Sequence, residues 1–199
     1  MAEYHMESDG KSVISLDDVL AAIAPDGIDG PLPPVHLWNP ERSTDIRMEI
    51  RADGSWWHDG GKIKRERLVK LFSRILRKDA DGQIYLVTPY EKVIVHVADA
   101  PFVAVRVDRI GEAGQQQGLA FTTNLGDVAV AGSDLPIRVE TDPVSLEPSP
   151  YVLVRDGLEA KISRPVFYEL ADLAEAYEGS AGQLGVWSQG EFFELGPAA

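Results

Sequence analysis

The stretch DGSWWHDGGKIKRERLVKLFSRIL, residues 53–76, decides the fold because a later part of the chain echoes it. Residues 156–170 read DGLEAKISRPVFYEL, so an Asp-Gly turn again precedes a lysine-isoleucine pair and then an apolar helix pattern. Landmarks that recur in the same order indicate an internal duplication. We therefore predict two related ββαββ units, residues 47–98 and 151–195.

The apolar residues of the first stretch recur at the spacing of one helix face, which predicts a helix that includes residues 68–76. A similar pattern predicts its counterpart at residues 165–177. Apolar alternation and turn residues predict the strands of an α+β fold with mostly antiparallel sheets, in which the C-terminal half is an enlarged, barrel-like sheet with one helix. The predicted strands are 47–51, 55–58, 83–87, 92–98, 102–107, 119–123, 127–131, 136–141, 151–155, 158–162, 183–187 and 191–195.

The chain is expected to divide into an N-terminal α+β domain, residues 1–98, and a β-rich C-terminal domain with one helix, residues 99–199. The N-terminal domain would begin with a short helix at residues 15–24, which a serine N-cap precedes and a proline ends. A proline-rich segment, residues 25–41, follows it. The four strands between the two repeats are predicted to be an insertion in one half.

The composition is that of a globular protein, with 199 residues, 44% hydrophobic and 26% charged. The absence of cysteine excludes disulfides, thiolate nucleophiles and Cys-zinc sites, and it favours a cytoplasmic protein. No signal peptide is visible. The longest apolar stretch, residues 93–107, is interrupted by charged residues and proline, so we expect no membrane insertion. The net charge of −13 disfavours nucleic-acid binding.

The chain also has a local excess of positive charge. Nine of its Lys and Arg residues lie within residues 51–78, against three acidic residues. Arg67, Lys70 and Arg74 share one helix face at spacings of three and four residues, which predicts an anion-binding stripe. The alternative is an ordinary solvated helix face.

The first repeat is four residues longer than the second, because SWWHDGGK stands where the second repeat has LEAK. Adjacent tryptophans on a strand point to opposite faces, so one of Trp56 and Trp57 should enter the core. The other would either pack under the proline-rich segment or form the wall of a ligand site in the groove between the two halves. The predicted binding residues are Trp38, Trp57, His58, Lys62, Arg65, Glu91 and Lys92.

No recognised catalytic or metal motif is present. The sequence has no GxxxxGK[ST], GxSxG or HExxH pattern, and its histidines lack a zinc-ligand spacing. We therefore assign no catalytic residue, metal or cofactor. The expected function is a non-enzymatic ligand-binding or signalling module with a small-molecule or protein partner, and the oligomeric state stays open. The alternatives are an enzyme of unrecognised type around His58, with Asp53 and Asp59, or a protein-interaction scaffold.

Three stretches carry a family resemblance: residues 53–76, LVTPYEKVIVHVADAPFVAVRV at 86–107, and PPVHLWNPE at 33–41. Together they resemble the bacterial family called domain of unknown function 1285, over about residues 31–195. The resemblance implies a duplicated α+β core whose C-terminal half is loosely similar to pleckstrin-homology-like barrels. It also implies a ligand-binding or signalling role, and it supplies no catalytic residue.

Overall fold

The computed structural model describes residues 30–177, 179 and 182–197, and these residues form a mostly β protein with two α-helices, a 3-10 helix at Val35–Leu37 and three sheets. The helix expected at residues 15–24 lies outside the described residues. In chain order the elements are β1 Arg42–Ile50, β2 Trp56–His58, β3 Gly61–Lys62, α1 Glu66–Arg74, β4 Leu76–Lys78, β5 Ile84–Val87, β6 Glu91–Val97, β7 Phe102–Ile110, β8 Gly118–Thr123, β9 Val128–Val130, β10 Ile137–Thr141, β11 Pro148–Arg155, β12 Leu158–Ile162, α2 Arg164–Asp172, β13 Glu175–Ala176, β14 Gln183–Ser188 and β15 Glu191–Pro197.

The two large sheets share one strand order. Sheet A is ordered β3-β2-β1-β6-β5-β4, and sheet B, written from its other end, is ordered β9-β8-β7-β12-β11-β10. Each sheet joins two antiparallel three-stranded meanders through a central parallel pair, β1 with β6 and β7 with β12. The central pair consists of the first and last strands of its sheet. This repeated order is consistent with a two-unit repeat, in which β1–β6 form the first unit and β7–β12 the second. The predicted second repeat, residues 151–195, instead takes its strands from sheets B and C.

The two helices occupy different places in these units. Helix α1 lies between the two meanders of sheet A, whereas α2 follows sheet B and leads to the separate three-stranded sheet C, ordered β13-β14-β15. Strands β7–β10, expected as an insertion, make up most of sheet B. Strand β9, at one end of sheet B, contacts β11, next to the other end, which shows that the sheet is curled. Sheet C packs against β8 and β10.

Both predicted helices end earlier than expected. Helix α1 stops at Arg74, and the chain turns at Ile75 so that Leu76 pairs with Leu86 in the β4–β5 hairpin. Ile75 and Leu76 are both buried in the turn and in β4, as they would have been on the core face of a longer helix. Their apolar spacing is therefore compatible with either structure. Helix α2 stops at Asp172 because the following chain forms β13, where Glu175 pairs with Gly185.

The four extra residues of the first repeat form an additional strand. Strands β2 and β3 pair through Trp57 with Lys62 and His58 with Gly61, and Asp59-Gly60 makes the turn between them. Both turn residues have positive φ, 46° and 78°. In the predicted second repeat, residues 151–195, β12 leads directly to α2 with no such strand.

The described part of the proline-rich segment, residues 30–41, lies along the edge of sheet A and is held by two arginines. Arg74 donates from Nη2 to the carbonyl oxygens of Gly30, at 2.7 Å, and Pro31, at 2.5 Å. Arg77 donates from Nη1 to the carbonyl oxygens of Val35, at 2.8 Å, and Trp38, at 2.5 Å. The segment thereby shields the edge strand β4.

The two Asp-Gly turns of the repeat both lie where the two units meet. Gly54 has a φ of +76°, and a Cβ added there would lie 2.8 Å from Asn124 Nδ2 and 3.0 Å from Val103 Cγ2. The turn of the second unit approaches the first unit in the same way, because a Cβ added at Gly157 would lie 3.5 Å from Lys78 Cδ. Each turn therefore approaches the other unit closely, and Gly54 has no room for a larger residue.

Arg155 ties the two units together from the end of β11. Its Nη1 donates to Asp127 Oδ1 at 2.5 Å, and its Nη2 donates to the carbonyl oxygen of Ser73 at 2.7 Å. The guanidinium also lies 4.9 Å from the ring centroid of Phe102. Because Ser73 is in the last turn of α1, the positive charge meets the negative end of the helix dipole.

We expect Gly54→Ala to destabilise the protein by about 2–3 kcal/mol, through overpacking and the left-handed backbone. Asn124 cannot easily move aside, because its side-chain Oδ1 accepts from the Val103 backbone N–H at 3.0 Å and its backbone N–H donates to the Val103 carbonyl oxygen at 2.8 Å. Gly60→Ala is the matched control, since Gly60 has a φ of +78° and nothing within 4 Å of the added Cβ. Urea unfolding should show that Gly60→Ala lowers the free energy of unfolding by roughly 1 kcal/mol. An equal decrease in the two variants would contradict the packing argument.

We expect Arg155→Met to lower the free energy of unfolding by about 3 kcal/mol, because Asp127 and the Ser73 carbonyl lose their donor in a partly buried place. The Arg155 and Asp127 side chains are only 13% and 21% exposed. Arg138→Met is the control: Arg138 pairs with two carboxylates but is 42% exposed. Its loss should cost less than about 1 kcal/mol in the same urea titration.

Candidate functional site

A groove of about 560 Å³ lies where sheet A and α1 meet the β8–β9 turn of sheet B. We call it the seam groove. One wall comes from the first Asp-Gly turn, β2, β3 and the first turns of α1, and the opposite wall comes from Asn124 and Leu125. Its full lining is Asp53, Gly54, Ser55, Trp56, Lys62, Ile63, Glu66, Arg67, Val69, Lys70, Asn124 and Leu125.

Three of the predicted basic residues meet in the seam groove. Lys62 projects from β3, and Arg67 and Lys70 come from consecutive turns of α1. Lys62 and Arg67 are exposed, and neither forms an ion pair with another residue that the structure describes. Lys62 and Arg67 are therefore available to an anion that enters the groove.

Two carboxylates also line the groove, Asp53 and Glu66. Hydrogen bonds from Ser55 lower the pKa of Asp53, whose Oδ1 accepts from the Ser55 amide at 2.9 Å. Asp53 is thus fixed by its own turn. The groove lining thus holds three basic residues and two carboxylates, which gives it a small net positive charge.

Apolar side chains complete the groove. Trp56 is 1% exposed and stacks on Phe72 with ring centroids 6.2 Å apart. Ile63, Val69 and Leu125 add aliphatic surface to the lining. The Trp56 indole N–H is buried without a hydrogen-bond partner among the described residues. The groove therefore combines cations with an apolar surface, which is the composition of a site for an organic anion.

Trp57 and His58 lie outside the lining of the seam groove. Trp56 is the tryptophan that enters the core, as the strand alternation predicted, and Trp57 is the outer one. Arg51 covers the Trp57 ring at 3.5 Å from its centroid, and the Trp57 indole donates to Ser55 Oγ at 2.8 Å. His58 is exposed beside the β2–β3 turn.

Glu91 and Lys92 are not brought to the groove. Glu91 begins β6 opposite Arg42, whereas Trp57 is level with His96, five residues along that strand. That separation is about 17 Å. Glu91 is 6% exposed and pairs with Arg42 at 3.5 Å, so it is part of the sheet's internal packing.

Lys92 and Trp38 belong to a second polar cluster at the β4 edge. Lys92 Nζ and Arg77 Nε each lie 2.6 Å from the carboxylate of Asp79. Lys92 also lies 4.1 Å from the ring centroid of Tyr85. Arg77 links this cluster to the Trp38 carbonyl. The cluster holds the proline-rich segment against the sheet.

The remaining predicted residues lie on or beside α1. Arg65 is the exposed N-cap residue, and its backbone carbonyl accepts from Leu68 and Val69. Arg74 binds the backbone of the proline-rich segment, so the predicted stripe divides into a groove part, Arg67 and Lys70, and a structural part, Arg74. Asn124 and Leu125 were missed, because they come from the other unit and carry no local signal.

A second cleft of about 510 Å³ lies at the end of sheet A near the link to β7. Its lining includes Glu49, Arg51, Lys78, His96 and Asp99. The carboxylate of Asp99 is already engaged by Lys161 and by the Tyr151 hydroxyl, at 2.8 Å for the latter. Burial and that hydrogen bond raise the pKa of Tyr151 to about 12, so it stays a donor.

Within residues 30–177, 179 and 182–197, no three His, Cys, Asp or Glu side chains are grouped so that they could hold a metal ion. No helix in this part of the chain is both long and apolar enough to cross a bilayer.

Two family domains cover the chain in sequence. The domain described as "Domain of unknown function (DUF1285), N-terminal domain" matches residues 33–100, and "Protein of unknown function (DUF1285), C-terminal domain" matches residues 101–195. The chain belongs to the DUF1285 family. The resemblance expected from residues 31–195 is thereby confirmed.

Solved structures of DUF1285 proteins are similar to this one. A DUF1285 family protein from Silicibacter pomeroyi DSS-3 is 47% identical, over 96% of this chain and 97% of that chain, with a TM-score of 0.81. A DUF1285 family protein from Shewanella baltica OS155 is 27% identical, over 63% of this chain and 90% of that chain, with a TM-score of 0.49. No curated protein matches the chain.

The second polar cluster predicts an acid-sensitive contribution to stability. Partial burial alone would raise the pKa of Asp79, but hydrogen bonds from Arg77 and Lys92 outweigh it and hold that pKa below its usual value. A lowered carboxyl pKa stabilises the fold above the unfolded value of about 3.9, and this stabilisation is lost as the pH falls through the folded value. Asp79→Asn should therefore cost roughly 2 kcal/mol at pH 7 and less at pH 3.

Urea unfolding at the two pH values measures this difference. Asp108→Asn is the control, because Asp108 pairs with Arg106 on the same strand and both side chains are well exposed, 43% and 68%. Its cost should be small at both pH values. An Asp79→Asn cost that does not change with pH would contradict the ion-pair origin.

Proposed function

We propose that this DUF1285 protein is a non-enzymatic ligand-binding module that takes a small organic anion in the seam groove, between the domain of residues 1–98 and the domain of residues 99–199. The observation that carries the proposal is the convergence of Lys62, Arg67 and Lys70 on one groove. These residues come from two elements of one unit and face a turn of the other.

The chemistry of the lining supports this class of ligand. A cavity of about 560 Å³ falls in the size range of small-molecule sites. Phosphate or carboxylate oxygens would accept from Lys62 and Arg67 as charge-assisted hydrogen bonds. The aliphatic surface of Ile63, Val69 and Leu125 would contact an apolar part of the same ligand. A signalling role would follow if the ligand changed how the two units sit against each other.

The other hypotheses have less support from the geometry. An enzyme around His58 would need ionisable groups that converge on it, but His58 is exposed and lies outside the groove lining. A protein-interaction scaffold would use exposed apolar residues such as Val144 and Leu146, which are 90% and 72% exposed in the β10–β11 loop. A cytoplasmic location stays a prediction from the sequence.

Titration calorimetry with phenyl phosphate and with inorganic phosphate tests the proposal. We expect phenyl phosphate to bind about tenfold more tightly than inorganic phosphate, because its ring reaches the apolar surface. The double variant Lys62→Gln, Arg67→Gln should weaken phenyl phosphate binding by roughly tenfold or more. The matched control, Lys64→Gln with Arg109→Gln, removes the same charge from exposed side chains outside the groove and should bind as the unaltered protein does.

Two results would overturn the proposal. One is the absence of binding of either probe to the unaltered protein. The other is an equal loss of affinity in the groove variant and in the control variant, which would show that overall charge, and not the groove, sets the affinity.

A further inference from the structure

We propose that the seam groove takes an extended peptide that carries a carboxylate, and that this peptide pairs as an additional strand with the open edge of β3. The inference rests on the proposed function, since the cations that would hold the carboxylate are those of the seam groove. It names the class of organic anion, and it adds a main-chain contact to the side-chain contacts.

Strand β3 is an open edge of sheet A. It stands at the end of the strand order, and its pairing partner is β2. Gly60 and Gly61, where the turn enters the strand, are exposed, and a Cβ added to either would meet no side chain of the described residues within 4 Å. The opposite edge, β4, is shielded by the proline-rich segment. Proteins usually cover or blunt such edges, because an uncovered edge is a template for strand addition.

The backbone of Lys62 faces this open edge. Lys62 lies opposite Trp57 in the β2–β3 pair. The next pair along is hydrogen-bonded, because the Ile63 N–H donates to the Trp56 carbonyl oxygen at 2.8 Å. Opposed residues of an antiparallel pair alternate between hydrogen-bonded and non-hydrogen-bonded positions. The N–H and C=O of Lys62 therefore point away from β2, and one residue of an added strand can pair with both.

The open edge is also part of the seam groove. Lys62 and Ile63 of β3 both line the groove, whereas β2 contributes Trp56 to it. The first turns of α1 bound the groove beside β3, and the β8–β9 turn of the other unit closes it. Alternate side chains of an added strand would therefore contact the apolar surface of Ile63, Val69 and Leu125.

The charges of the lining suit a ligand with a single carboxylate. Three cations, Lys62, Arg67 and Lys70, stand with two carboxylates, Asp53 and Glu66, which leaves an excess of one positive charge. One carboxylate balances that excess, whereas a polyacidic peptide would be repelled by the two carboxylates of the lining. Lys62 offers its ammonium group and its edge N–H together, so one residue can bind both the carboxylate and the main chain of the same peptide.

Titration calorimetry with an acetylated tetrapeptide of alternating threonine and valine, ending in valine with a free C-terminus, tests the ligand class. We expect amidation of the C-terminus to weaken binding by about tenfold, because charge-assisted hydrogen bonds are lost. An amidated peptide with glutamate as its last residue distinguishes the source of the carboxylate: restored affinity means that a side chain serves, and unrestored affinity means that the C-terminus is recognised. If phenyl phosphate binds and neither carboxylate peptide does, the inference is overturned and the proposed function stands.

Peptides methylated at one main-chain nitrogen at a time test the strand pairing without any change to the protein. Because one peptide residue pairs with Lys62, methylation should weaken binding by about fivefold at one amide and little at the others. Equal affinity of all the methylated peptides and the parent peptide would overturn the strand pairing, and so would an equal loss at every position.

Lys62→Pro and Lys62→Gln are a matched pair of variants. Both lose the ammonium group, and Lys62→Pro also loses the edge N–H. Proline is tolerated where the N–H of an edge strand faces away from the sheet, and equal urea midpoints of the two variants would verify this. We expect Lys62→Pro to bind the tetrapeptide about fivefold more weakly than Lys62→Gln, and both variants to bind phenyl phosphate equally.

Equal peptide affinity of the two variants would overturn the main-chain contact. If Lys62→Pro fails to fold, the methylated peptides decide the question with the unaltered protein. If neither phenyl phosphate nor the peptides bind the unaltered protein, the proposed function and the peptide inference both fail.

Discussion

The guanidinium of Arg155 is the contact on which the geometry of this molecule depends. It binds Asp127, in the β8–β9 turn, and the carbonyl oxygen of Ser73, at the end of α1. That turn forms one wall of the seam groove, and the first turns of that helix form part of the other. One side chain thus sets the distance between a wall that belongs to sheet B and a wall that belongs to the unit of sheet A. The close approach of Gly54 to Asn124 fixes the same two walls at the other end.

Much of the fold could be predicted because the signals were local. Alternation located most strands, and the two adjacent tryptophans correctly implied one buried and one outer ring. The errors also have a local cause. Ile75 and Leu76 fit the spacing of an apolar helix face, but they are buried equally well in the turn after α1 and at the first position of β4. Pairing with β5 decides between the two, and that partner lies outside any short window.

The candidate site could be predicted only in part, for the same reason. Lys62, Arg67 and Lys70 come together because they are close in sequence, on β3 and the adjoining helix. Glu91 and Lys92 do not join them, because β6 runs parallel to β1 and its first residues lie at the far end of the sheet. Asn124 and Leu125 complete the groove from more than fifty residues away, and only the packing of the two units reveals them.

The strand order shared by sheets A and B has a consequence for how the chain is made. In each sheet the central pair joins the first strand to the last, as Glu49 pairs with His96 and Val103 with Lys161. During synthesis one side of the innermost strand of the first meander, β1 or β7, stays unpaired until the last strand of its unit, β6 or β12, has left the ribosome. Sheet A can close once residue 97 has emerged, whereas sheet B closes only after residue 162. We therefore expect a stepwise, N-terminal-first assembly on the ribosome, because long-range strand pairing is intrinsically slow and domains generally fold in the order of their synthesis.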